Sequence, residues 1–195
     1  MKKKILIILM TDNSENKYKK DFKSSFRKLK AILFFKKWYD KDLLLFIINI
    51  NIDAIIITGS EYRILKNTKK ASIPKKILKL NIPIIGICYG YQWIIKTLCG
   101  KKCLNTFKND RNNKKNYLIK INEPFNINKN YYKFNHHDYV TKIPKKWIIL
   151  IKRNKQIWMS YNKEKKIIGI QFHPEATKIG KVFYKKWLNY ISIIS

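Results

Sequence analysis

Acidic residues are scarce in this chain: 12 Asp and Glu stand against 43 Lys and Arg, for a net charge of +31 over 195 residues. Arginine is scarcer still, supplying only 4 of the 43 bases. Nucleic-acid readers rely on Arg for bidentate base and phosphate contacts. Its shortage disfavours nucleic acid as a partner, and a solvated Lys-rich surface is the better reading. Lys, Ile and Asn fill 93 positions, and these three share A/T-only codons, as drift in an AT-rich coding sequence would give. Such charge still attracts an acidic partner face at low salt. Cysteine is limited to Cys88, Cys99 and Cys103. An odd count without a Cys-x-x-Cys pair argues against a disulfide framework and a metal site, and suggests a reducing, cytoplasmic setting. No metal or cofactor is expected.

Glycine (6) and proline (5) are also few, and no linker rich in either divides the chain. Residues 1–195 are therefore expected to form one domain. Long apolar runs are missing too. The stretch Ile82 to Ile95 is interrupted by Pro83, Gly86, Gly90 and Gln92, and a bilayer span needs about 20 apolar residues. The apolar run after the N-terminal lysines lasts about six residues, with no small-residue cleavage site after it, which argues against a signal peptide and a membrane. What is present is 46% hydrophobic and 14% aromatic, which excludes intrinsic disorder.

Lys4 to Met10 reads as a strand buried on both faces, as in a parallel sheet. Asp53 to Gly59 and Pro83 to Cys88 read the same way. Tyr18, Phe22, Phe26 and Leu29 form an apolar stripe on a helix over 17–31. Pro74 to Leu80 reads as a short helix, and Tyr89 to Cys99 as a helix stopped by Gly100. Alternating strands and helices imply a parallel α/β sheet. Lys108 to Asn116 reads as a loop. Beyond it, Asn116–Ile121, Tyr131–Asn135, Trp147–Lys152, Gln156–Tyr161 and Lys166–Phe172 read as short strands, a small antiparallel extension. Thr177 to Ile194 closes as an amphipathic helix.

The chemistry concentrates in Gly86-Ile-Cys88-Tyr-Gly90-Tyr-Gln92. Small residues on both sides of a nucleophile let a strand turn sharply into a helix, lifting the side chain out at the sheet edge. The lifted thiol of Cys88 would sit at a helix N-terminus, which favours a thiolate. The backbone N–H of Tyr89 would be placed to donate to an oxyanion. A thiol needs a base, and the base an orienter. In Gln171-Phe-His173-Pro-Glu175 the residues i and i+2 share one side of an extended chain, so Glu175 can fix the tautomer of His173. Cys99 and Cys103 lack such framing and read as structural residues.

These two motifs resemble those of the class I, triad-type glutamine amidotransferases, Gly-x-Cys-x-Gly-x-Gln followed by a His-Pro-Glu segment. The resemblance spans nearly the whole chain. It implies a flavodoxin-like fold, a single domain with a mostly parallel sheet flanked by helices. It implies hydrolysis of L-glutamine to glutamate and ammonia, with Cys88 as nucleophile, His173 as acid/base and Glu175 as its orienter. Gly59 matches the first Gly of the family's Gly-Gly-Pro oxyanion loop, while Ser60 and Glu61 replace the next two residues, so the resting oxyanion hole is expected to be incomplete. Gln92 matches a residue that holds the substrate glutamine. Asn135-His136-His137-Asp138 resembles a segment lying along that glutamine, with His137 in place of a Gly. Asp138-Tyr-Val140-Thr-Lys-Ile-Pro144 and His173-Pro-Glu-Ala-Thr177 are most similar to the amidotransferase of GMP synthase, although Asn135 is closer to the carbamoyl-phosphate pattern. With the sequence ending at Ser195, an ATP-pyrophosphatase synthetase is expected as a separate partner subunit. A glutaminase of another synthase, a free-standing γ-glutamyl hydrolase and a non-catalytic binding protein on the same fold remain the alternatives.

Overall fold

The apolar run at the N-terminus is a strand because both of its faces are covered. In the computed structural model, which describes residues 1–66, 71–108 and 112–194, β1 (Lys3–Leu9) buries Ile5, Ile7 and Leu9 towards one layer and Leu6 and Ile8 towards the other. Parallel partners flank it, β2 (Ala31–Lys37) on one side and β3 (Ala54–Ile57) on the other. β4 (Ile84–Ile87) and β11 (Ile167–Ile170) extend the parallel run. β10 (Gln156–Asn162) and β9 (Ile148–Arg153) complete the sheet antiparallel. The strand order is β2-β1-β3-β4-β11-β10-β9.

Helices α1 (Glu15–Ser25) and α4 (Gly180–Ile194) cover one face, packing Phe22, Phe183, Tyr184 and Trp187 onto it. Helices α2 (Leu43–Ile50) and α3 (Tyr89–Cys99) cover the other with Leu43, Ile47, Tyr91 and Ile94. Two small antiparallel pairs lie outside the main sheet. One joins β5 (Leu104–Thr106) to β8 (Asp138–Val140), and the other is the hairpin of β6 (Asn113–Ile121) and β7 (Ile127–His136). The hairpin's inner residues Ile119, Tyr132 and Phe134 join the core on the α1/α4 side. At its tip Phe125 packs on Phe183 and Tyr190, at ring distances of 6.4 and 5.2 Å. Among the described residues no helix is long and apolar enough to cross a membrane.

The α/β class with an antiparallel extension stands as expected, and four local readings need correction. The helix over 17–31 ends at Ser25. Lys28 takes a φ of 65°, and Ala31 to Lys37 then pair with β1, because a β-branched and aromatic run gains more in the sheet than on the helix. The loop expected over 108–116 is already strand β6 from Asn113, while 109–111 lie outside the described residues. Pro74 to Leu80 is a tighter 3₁₀ turn over Lys75–Lys79. Cys99 and Cys103 are joined in a disulfide, Cα–Cα 6.1 Å, contrary to the expectation of free thiols. The 3₁₀ turn Lys101–Cys103 folds the chain back against the last turn of α3 and brings the pair together. Cys88 is the free cysteine.

Candidate active site

β4 ends at Ile87 and α3 begins at Tyr89, so one residue makes the whole turn. Cys88 does so with φ 50° and ψ −105°, a backbone state that costs a non-glycine residue about 1–3 kcal/mol. The surroundings hold it there. Its N–H donates to the carbonyl of Ile170 at 2.7 Å, and its carbonyl accepts from Gln92 N–H at 3.0 Å. Gly90 N–H donates to Thr58 carbonyl at 3.1 Å, and a Cβ on Gly90 would lie 2.3 Å from the Ile57 carbonyl oxygen. The first turn of α3 therefore rests directly on the end of β3.

His173, the expected base, comes from beyond β11. His173 N–H donates to the Lys133 carbonyl of β7 at 2.9 Å. Its Nδ1 meets Glu175 Oε1 at 2.8 Å, and both side chains are buried. Burial alone would push His173 down. The negative charges of Glu175 and Cys88, with side-chain hydrogen bonds to both, outweigh it and lift the imidazole to about 10. A protonated imidazole is thus held between a carboxylate and a sulfur. The Cys88 Sγ also lies 3.7 Å from the Asn135 carbonyl oxygen.

Gly59 closes the third side. A Cβ there would lie 2.8 Å from His173 Cε1 and 2.7 Å from the Tyr18 hydroxyl, so only a glycine fits against the imidazole. Tyr89 is the first residue of α3, whose amide has no acceptor within its own helix. The loop after Gly59 is well anchored despite its departures from the family pattern. Ser60 Oγ accepts from Tyr62 N–H at 3.0 Å. Glu61 accepts from the Thr11 hydroxyl at 2.5 Å and from Asp12 N–H at 2.9 Å. Tyr62 donates its hydroxyl proton to Asp12.

A cavity of about 110 Å³ opens onto the thiol, walled by Cys88, Tyr89, Gln92, Asn135, His137 and Asp138 and closed by the Ser60–Arg63 segment. The expected substrate residues therefore converge, with differing roles. Gln92 is buried and donates from Nε2 to the Asp138 carbonyl at 2.5 Å and to Gln171 Oε1 at 3.3 Å. Its amide nitrogen thus holds the pocket wall. His136 is packed between the rings of Phe107 and Phe134, at 5.6 and 5.7 Å. Burial drives its pKa down to about 4. No hydrogen bond of good geometry reaches either ring nitrogen, although the Gln156 side chain offsets part of the burial effect. Its place is structural as much as ligand-facing. His137 carries the wall chiefly through its carbonyl, which accepts from Phe107 N–H and Thr106 Oγ1.

Two further groups were not singled out in the sequence. Arg63 pairs with the buried Asp138 at 3.3 Å and reaches Thr106 at 2.8 Å, tying the Gly59 loop to β8. As one of four arginines in a lysine-rich chain, it carried a signal of composition. Thr11, which anchors Glu61, carried none, because that contact spans 50 positions.

The sequence matches the glutamine amidotransferase class-I family over residues 9–182. The chain belongs to this family. Similar sequences include the GMP synthase [glutamine-hydrolyzing] of Wigglesworthia glossinidia brevipalpis, 34% identical over 161 residues, and that of Caldicellulosiruptor saccharolyticus, 32% identical over 148. The alignments cover 74% and 73% of this amidotransferase chain, and 31% and 28% of those proteins. The chain thus spans less than a third of the length of these curated relatives. Among solved structures, PurLQS from Thermotoga maritima superposes with a TM-score of 0.67 at 18% identity, covering 98% of this chain and all of that one. A glutamine amidotransferase from the same organism gives 0.64 at 16%, covering 99% and 84%. At these identities the structural likeness speaks for the fold.

Proposed function

We propose that this amidotransferase hydrolyses L-glutamine to glutamate and ammonia through a thioester on Cys88, and that the ammonia serves a synthetase of the GMP synthase type. The observation that carries the reading is the Cys88 turn set against the buried His173–Glu175 pair. Two relatives of this sequence are named glutamine-hydrolysing GMP synthases, which favours an ATP-pyrophosphatase partner over other synthetases.

The geometry supports a sequence of steps. Glutamine enters the cavity between Gln92 and the Asn135–Asp138 segment. Cys88 Sγ attacks the side-chain carbonyl carbon. The Gly59 and Tyr89 amides receive the developing oxyanion, where one donor is worth about a hundredfold or more in rate. The carbon–nitrogen bond breaks as His173 delivers its proton to the nitrogen, and ammonia leaves. Water then adds to the thioester with His173 as base, the carbon–sulfur bond breaks, and glutamate departs. Glu175 holds Nδ1, stabilising the imidazolium before the proton is delivered and fixing one tautomer of the neutral ring that then acts as base.

The test is glutamate release from glutamine by the purified chain beside Cys88→Ala. Release by the first and none by the second is expected. Equal release by both would end the proposal. Adding an ATP-pyrophosphatase subunit of GMP synthase, with ATP and XMP, tests the acceptor separately.

A further inference from the structure

One side of α1 faces the triad. Ser14 at its N-cap and Lys17, Tyr18 and Asp21 after it fall at helical spacing, and together they border His173 and Glu175. Tyr18 has two parts there. Its ring stacks on Phe22, centroids 6.4 Å apart, and packs against the core. Its hydroxyl reaches past the core to Gly59. A Cβ on Gly59 would lie 2.7 Å from the Tyr18 oxygen, 2.8 Å from His173 Cε1 and 3.5 Å from Cys88 Cβ. The phenol oxygen and the Cε1 edge of the imidazole are therefore neighbours over one missing methyl group.

The two nitrogens of that ring are already engaged. Nδ1 holds Glu175 at 2.8 Å, and a side-chain hydrogen bond joins the imidazole to Cys88. Cε1 lies between the nitrogens, and in an imidazolium its C–H carries part of the positive charge. Such a C–H is a weak donor to oxygen. Tyr18 is suited to accept it. Burial and the negative charges of Glu175, Cys88, Glu61 and Asp21 raise its hydroxyl well above the ordinary phenol range, so it stays protonated. The same charges draw its O–H proton towards themselves and leave the oxygen lone pairs to the cation.

We propose that Tyr18 is a positioning residue for His173: its hydroxyl oxygen caps the Cε1 edge of the imidazolium and holds the ring in the one orientation that serves both Glu175 and Cys88. The kinetic consequence rests on the proposed glutaminase chemistry; the contact itself does not. Tyr18 does not line the Cys88 cavity, so it acts on glutamine only through the imidazole. The other charged and titratable groups around the pair are Lys17 and Asp21 from α1, Glu61 from the loop after Gly59, Lys133 and His136 from β7 and Tyr184 from α4. The test leaves all of them in place.

That test is Tyr18→Phe, which keeps the ring and its stacking and removes the oxygen. The chain is labelled with ¹³C at histidine Cε1, giving one proton–carbon NMR signal for each of the three histidines, and His173→Gln identifies the signal of His173. In Tyr18→Phe the His173 Cε1–H resonance is expected to move upfield. Its titration midpoint should fall from about 10 by about half a pH unit, the scale of one weak hydrogen bond. Unmoved signals from His136 and His137 report that the fold is kept. For glutamate release, kcat should drop about two- to fivefold with KM unchanged. A role in packing alone would leave the His173 resonance and midpoint as in wild type, and that result overturns the proposal. A raised KM with kcat retained does so too, since the hydroxyl would then be serving glutamine directly. If wild type releases no glutamate, the glutaminase reading falls, and the NMR comparison still decides what holds the ring.

Discussion

Replacing Gly90 by alanine tests the support beneath Cys88, the proposed nucleophile, rather than Cys88 itself. The added methyl would stand 2.3 Å from the Ile57 carbonyl oxygen and 2.8 Å from its carbonyl carbon. Both atoms are backbone at the end of a buried central strand, so no side chain can swing aside. Restoring ordinary contact demands that α3 and β3 part by about 1 Å, and overpacking of this kind costs about 1–3 kcal/mol. In a domain of this size that lowers the melting temperature by about 2–12 °C. The functional loss should be larger than the loss of stability suggests. Cys88 and the Tyr89 amide sit directly before Gly90, and a 1 Å displacement of a reacting group costs about a hundredfold. Glutamate release by Gly90→Ala is therefore expected to fall by about that factor under conditions where circular dichroism shows the protein folded. Activity within threefold of wild type, with an unchanged melt, would refute the argument that α3 bears on the end of β3.

Cys88→Ala should abolish glutamate release without loss of fold, whereas alanine at Cys99 or Cys103 should leave turnover in place, as steady-state kinetics would record. His173→Gln should cost more activity than Glu175→Gln, since the first removes the proton carrier and the second its orienter; equal losses would contradict those roles. The raised His173 pKa contributes stability that is full below pH 6.5 and is lost as pH climbs towards about 10. Glu175→Gln should therefore flatten that alkaline fall in denaturant titrations. His136 has the opposite sign. Its folded pKa of about 4 makes stability decline as pH drops from 6.5, by about 3 kcal/mol if it acts alone, and His136→Leu should remove that acid limb. Arg63→Met leaves the buried Asp138 charge without its cation, a change expected to cost about 3 kcal/mol in urea unfolding.

The buried strands β1, β3 and β4 and the turn at Cys88 were legible because their signals are local. A double-faced apolar run says buried strand, and small residues flanking a cysteine between strand and helix say nucleophile. The segment after α1 was illegible for a matching reason. Phe22, Phe26 and Leu29 keep helical spacing right up to the point where pairing with β1 takes over, and that pairing is not written in residues 26–31. α2 escaped because an almost wholly apolar segment, Leu43 to Ile50, shows no periodicity to read. Among the expected site residues, Gly59, Tyr89 and Asn135 lie beside Cys88. The Glu61 anchor shows what a motif comparison cannot weigh. A departure from the family's loop sequence is compensated by Thr11 and Asp12, from another strand end.

The β6–β7 hairpin is fastened twice, at its tip by Phe125 against α4 and near its base by the Lys133 carbonyl on His173 N–H. A ribbon pinned at both ends is a strut and cannot swing as a flap. The opposite wall of the Cys88 cavity, Ser60–Arg63, is anchored as well, through Glu61 on Thr11 and Asp12 and through Arg63 on Asp138, so the cavity lies between two fixed jaws. Amide exchange is expected to be slow both along Tyr132–Phe134 and at Tyr62, whose N–H donates to Ser60 Oγ. The same strut makes His173 unusually intolerant of distant change. A substitution that shortens or loosens the packing of Phe125 acts on the far end of a ribbon whose near end holds the His173 backbone.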